Sequence, residues 1–171
     1  EYDTGGGGHI LVIVPETVKL RILELRGLPI NILISIVHSY GGVLGPAHPC
    51  GEKYMSFCNT RAYRRDPKIV EQFDFVEIFN ACEDEESNAT ACRLAAKYHK
   101  PGLGGSDSHK TDCVGLAYTE IPQWLRSDLR NRHPRGSALA FHMSAAGWNP
   151  DNPEDIPLRC KPALRWKPAL R

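Results

Sequence analysis

The stretch DFVEIFNACEDEESNATACRLAAKYHKPGLGGSDSH, residues 74–109, decides the fold. In its first seven residues Val76 and Ile78 lie opposite in phase to Phe75, Glu77 and Phe79, the alternation expected of a strand. EDEESNATACRLAAKYHK, from Glu83, opens on acids and closes on bases, which matches the dipole of a helix. PGLGGSDSH then predicts a second strand that opens into a loop. Strand, helix and strand in that order make a βαβ unit with parallel strands.

The same pattern extends toward the N-terminus. HILVIVP, residues 9–15, reads as a strand ended by proline, and PETVKLRILELRGLP, from Pro15, as a helix that closes on Gly27 and Pro29. INILISIVHSYGG, residues 30–42, has helix length and stops at a glycine pair. VLGPAHP reads as a buried strand running into a loop at His48, PKIVEQF as a short helix, and VGLAYTEIP, from Val114, as a further strand. The expected class is α/β with mainly parallel strands, in a sheet either open or rolled into a barrel.

Composition narrows the function. The chain has 171 residues, 42% of them hydrophobic, enough for one domain with a sizeable core. Lys+Arg 21 against Asp+Glu 20 leaves a formal charge of +1, so no overall field favours nucleic acid or a membrane surface. Six cysteines without C-x-x-C spacing are expected to be reduced and mostly buried. No segment reaches the roughly 18 apolar residues of a membrane span, and no basic region precedes an apolar run at the start, so the expectation is a cytoplasmic protein without membrane contact.

In parallel α/β folds the loops after the C-terminal strand ends converge on one face. His48 follows one predicted strand, Asp107 and His109 follow another, Asn80 ends a third, and Glu1 precedes the strand that contains His9. Glu, Asp and His together suit zinc, manganese or iron. Metals about 3.5–4 Å apart polarise a phosphoryl group and lower the pKa of a bridging water, so phosphoester hydrolysis is the chemistry such a cluster favours.

GGVLGPAHP, FVEIFN and GGSDSH in this order resemble the PHP (polymerase and histidinol phosphatase) superfamily, and EYDT with GHILV resembles its glutamate segment. The resemblance covers residues 1–122 and leaves 123–171 as a partly irregular C-terminal extension. It implies a distorted (β/α)7 barrel with up to three divalent metals (Mn, Zn or Fe) and hydrolysis of phosphomonoesters or nucleotide phosphoesters, so the expected partner is a small phosphorylated substrate, a nucleotide among them. By resemblance Glu1 would bridge the first and second metals, His9 and His48 would complete the second, Asp107 would bind the first and His109 the third. Asp107 and His109 are the expected catalytic pair.

Members open with a His-x-His motif, and no His-x-His occurs here. The resemblance therefore implies the C-terminal portion of a PHP domain, a partial barrel with its second metal site whole and its first and third short of ligands. A degenerate PHP-like binding or structural domain is the alternative function. Arg61, Arg64 and Arg65 in CNTRAYRRDP are candidates to grip a phosphate, or a solvated charge run. Asn80 is a candidate substrate contact or ordinary turn chemistry, and Lys110 is a comparable candidate. His38 and His99 read as core or boundary residues, while His133 and His142 have no assigned role. The KPALR repeat around Trp166 reads as a disordered terminus or an acid-binding tail.

Overall fold

The computed structural model describes residues 1–15, 18–52 and 55–119. From the N-terminus its elements are β1 (Tyr2–Asp3), β2 (His9–Ile13), α1 (Ile30–Ser39), β3 (Val43–Pro46), α2 (Arg61–Arg65), β4 (Val76–Asn80), α3 (Glu85–Lys97) and β5 (Gly102–Gly105). Short 3-10 turns lie at Arg21–Glu24, Phe57–Asn59, Pro67–Gln72 and Thr111–Cys113.

The unit that decides the fold forms as the sequence predicts, with β4 and β5 paired in parallel across α3. Asp84 caps α3 by accepting a hydrogen bond from the Ser87 amide at 2.7 Å, and Glu85 and Glu86 occupy its first turn. Ala91, Leu94 and Ala95 supply its buried apolar face. The segment 30–42 also behaves as expected. Ile30, Leu33, Ile34 and Val37, at helical spacing, turn into the core along α1, and Gly41 takes φ +73 just past its end. The core continues through Ile10, Leu44, Val70, Val76 and Ile78, and Phe57 meets Phe73 edge-on at 5.1 Å.

Mainly parallel strands are not what forms. The sheet β1-β2-β3 is antiparallel in both of its pairings, and only β4–β5 is parallel among the described residues. The cause lies in Thr4–Gly8. Gly6 and Gly8 adopt φ +85 and +77, and the Thr4 hydroxyl accepts from the Gly7 amide at 3.0 Å while donating to the Gly8 carbonyl at 2.7 Å. That tight turn sends β2 back along β1. The result is a mixed α/β arrangement in which the described strands form a three-stranded and a two-stranded sheet rather than a closed barrel. The two sheets abut where the Asp74 amide donates to the Leu44 carbonyl and the Asp74 carboxylate accepts from the Leu44 amide, both at 2.9 Å. Gly45 makes this approach possible, since a side chain there would collide with Phe75.

Other expectations are corrected locally. The predicted helix from Pro15 is a 3-10 turn at Arg21–Glu24, with Ile22 and Leu25 exposed. Its residues 25–28 are instead tied to β1: the Tyr2 hydroxyl bonds the Leu25 carbonyl and accepts from the Leu28 amide, and the Gly27 amide donates to the Asp3 carbonyl at 3.0 Å. PKIVEQF forms the expected short helix, as a 3-10 helix over Pro67–Gln72. Residues 114–119 of the predicted last strand form turns around Gly115 at φ +81, and the Thr119 hydroxyl bonds both backbone groups of Gly104. Cys50, Cys58, Cys82, Cys92 and Cys113 are free, but Cys82 is exposed and the others are half-buried. No described helix is long and apolar enough to cross a membrane. The expected extension 123–171, with Cys160, His133, His142 and the KPALR repeat, lies outside the described residues.

Candidate metal centre

Register builds the first half of the site. Pairing of β1 with β2 sets Asp3 opposite His9, so an Asp3 oxygen lies 2.9 Å from His9 Nε2. The other ring nitrogen, His9 Nδ1, reaches Glu1 Oε1 at 2.6 Å. Gly8 lets the hairpin press against residues 55–57, where any side chain at position 8 would strike the Met55 carbonyl.

His48 supplies the second half from the loop after β3. Its Nε2 lies 3.3 Å from both Glu1 Oε1 and His9 Nδ1, and its Nδ1 lies 3.3 Å from the Ser56 hydroxyl. The two imidazoles stand edge-on with centroids 5.2 Å apart. Each ring thus turns one nitrogen to the cluster and the other to an orienting oxygen, Asp3 or Ser56, as metal-binding histidines commonly do.

His48 is 4% exposed and sits at φ +29, a conformation rarely adopted by residues other than glycine. Its amide donates to Glu77 Oε2 at 2.5 Å. Glu77 is itself 4% exposed, and it also accepts from Asn80 Nδ2 at 3.2 Å. Gly105 leaves the room it needs, because an added Cβ would fall 2.7 Å from Glu77 Oε1. Asn80 is in turn clasped by Asn88 of α3, which accepts from the Asn80 amide at 2.8 Å and donates to its carbonyl at 3.1 Å. A run of hydrogen bonds therefore leads from α3 through β4 to the strained His48 backbone. Backbone strain of this kind gathers at functional sites, and Asp107, at φ +46, shares it.

The electrostatics follow the geometry. The hydrogen bond from His48 lowers the Glu1 carboxyl below its ordinary range against the opposing effect of burial, with His9 and the N-terminus adding to it. Burial opposes charge on His48, but the Glu1 hydrogen bond and the charges of Glu1, Asp107 and Glu77 outweigh it and raise its pKa. Burial pushes Glu77 up, only partly offset by its hydrogen bonds from His48 and Asn80.

Glu1, His9 and His48 offer three ligand atoms that all lie within 4.8 Å of one another. Ligands at about 2.0–2.1 Å from a tetrahedral ion sit roughly 3.3 Å apart, which is the spacing of His48 Nε2 from both of its neighbours. One carboxylate and two imidazoles fit a borderline divalent ion in chemistry, and two of the three spacings match, while Glu1 Oε1 and His9 Nδ1, at 2.6 Å, sit at hydrogen-bond distance and would part to admit an ion.

All five residues expected to bind metal line one cleft of about 500 Å³. Asp107 and His109 enter it from the loop after β5, though neither joins the three-residue cluster. His109 is exposed, with Nδ1 2.9 Å from the Asp107 carbonyl and 3.6 Å from its carboxylate. Arg61, Arg64 and Arg65 lie on α2 and do not line this cleft, nor does Lys110. Asn80 is 2% exposed, engaged with Glu77 and the Cys82 amide, and also outside it. His38 pairs with Asp74 at 2.9 Å on the surface rather than in the core. Asp3, Ser56, Glu77 and Arg26 were not singled out by the sequence pattern. Only the acid inside the apolar β4 run hinted at one of them, Glu77.

Residues 85–132 match the PHP-associated family. The matched stretch takes in GGSDSH and extends well beyond it. No curated protein matches the chain. Among solved structures, the chain is similar to a candidate metal-dependent phosphoesterase from Bifidobacterium adolescentis, with 20% identity and a TM-score of 0.48. The similarity covers 62% of this chain and 38% of that one.

Proposed function

We propose that this chain holds a divalent ion, manganese, zinc or iron, between Glu1, His9 and His48 and serves in hydrolysis of a small phosphomonoester or nucleotide phosphoester. The observation that carries the proposal is the convergence of Glu1 Oε1, His9 Nδ1 and His48 Nε2 from three separate segments. When bound, such an ion supplies Lewis-acid polarisation of a phosphoryl oxygen and lowers the pKa of water. Asp3 and Ser56 fix the two imidazoles, and Glu77 holds the His48 backbone. Asp107 and His109 border the same space, where the Asp107 carboxylate accepts a proton from the attacking water and the His109 imidazole gives one to the departing oxygen. The PHP-associated match is consistent with this chemistry.

A second function, a PHP-like binding or structural domain without catalysis, is favoured by one observation, that Asp107 and His109 stay outside the three-residue cluster. Elemental analysis of protein loaded in turn with Mn, Zn and Fe, alongside p-nitrophenyl phosphate turnover, separates the two. The expected result is about one ion per chain, lost in His48→Ala. An ion without turnover would favour the binding domain, and no ion in the wild type would overturn the metal centre.

A further inference from the structure

The cleft presents a charge problem to a phosphorylated substrate. Four carboxylates line it, those of Glu1, Asp3, Glu24 and Asp107, and among the described residues Arg26 is its only lysine or arginine. A phosphate dianion entering such a cleft is repelled unless cations compensate. A bound ion provides part of that compensation. Arg26 is placed to provide the rest.

Its backbone is unusually well fixed for a surface arginine. The Tyr2 hydroxyl bonds the Leu25 carbonyl and accepts from the Leu28 amide at 3.1 Å. The Gly27 amide donates to the Asp3 carbonyl at 3.0 Å, and the Gly5 amide to the Leu28 carbonyl at 2.9 Å. Gly27 takes φ +83, which lets the chain turn sharply just after Arg26. The turn is thus pinned to the same hairpin that carries Asp3 and His9. By contrast, the side chain is 86% exposed, and its ion pair with Asp3 is a 3.3 Å contact. An exposed pair of this sort is worth little and is readily exchanged for a better anion. A guanidinium fork can meet two phosphate oxygens at once, which a lysine cannot.

We infer that Arg26, held on its turn by Tyr2, is the residue of this chain that grips the phosphoryl group of the substrate. The inference rests on the metal-centre proposal and adds to it the substrate's anchoring point, a phosphomonoester dianion held by a fork that leaves Asp3 to reach it. The arginines of α2, which do not line the cleft, take no part.

The test is titration of inorganic phosphate onto the metal-loaded 171-residue chain, with metal content measured on the same samples. Arg26→Gln should weaken phosphate binding about tenfold or more, because it removes hydrogen bonds to a charged group, with metal content unchanged. Arg26→Lys should recover only part of the loss. Tyr2→Phe keeps every charge but frees the turn, and should weaken phosphate binding several-fold. Wild-type affinity in Arg26→Gln at full metal content would overturn the assignment. If the wild type takes up no metal, the metal centre fails on its own account. The same titration on the metal-free chain then decides Arg26, sensitivity to Arg26→Gln supporting it and insensitivity overturning it.

Discussion

His48 combines burial, a positive φ and contact with two other ligand-type side chains. A residue in that conformation persists only when its surroundings hold it there, and the Glu77 carboxylate contributes by binding its amide. Glu77 makes a prediction with a definite sign. Burial raises its carboxyl above the ordinary 4.5, so above that pH the folded chain retains a proton that the unfolded chain has lost. Stability from this group therefore falls as pH rises through the interval between the two values. Glutamine cannot ionise but can still accept from the His48 amide. In metal-free protein with chelator, Glu77→Gln should gain stability relative to wild type as pH rises above 4.5, read as urea midpoints. A difference independent of pH would contradict the assignment. Of these residues, His48, Asp107 and His109 were legible because short motifs carry them. Glu77 and Arg26 were not, because their roles depend on which segments the fold brings beside them.

The elements that the sequence predicted best carry their own boundary signals. α3 has an acidic cap, two acids in its first turn and a lysine in its last, and α1 has a four-residue apolar stripe with glycine just beyond its end. Asp84→Ala should cost about 1 kcal/mol in urea denaturation, whereas Asp84→Asn, which still caps, should cost much less. The expected helix from Pro15 gave way because helical spacing of its leucines and isoleucine was outweighed by the hydrogen bonds of Tyr2 and Asp3, which claimed residues 25–28 for a turn. The last expected strand failed at Gly115, whose positive φ breaks an extended run. Strand direction was the least legible feature. Alternating strands and helices suggested mainly parallel pairing, whereas the glycine run at residues 5–8 reverses β1 into β2.

At the scale of the molecule, the centre lies at the open ends of both sheets, with Glu1, His9 and His48 from the antiparallel one and Asp107 and His109 from the loop after the parallel pair. An ion bound only by the folded chain should raise its stability, by about 2.7 kcal/mol at a hundredfold excess over Kd. Adding a divalent metal should therefore raise the midpoint of thermal unfolding, and chelator should reverse the change. A midpoint indifferent to both would count against the centre. In polymer terms, Glu1, His9 and His48 are three arms of a single junction, with His48 separated from His9 by 39 positions and from Glu1 by 47. A ligand gripping all three closes nested rings in the chain, and the larger ring is only slightly more expensive in entropy than the smaller. Letting go of His48 alone opens both long rings at once, so the rate at which the chain surrenders an ion is tied to how often that loop swings away from the N-terminal hairpin.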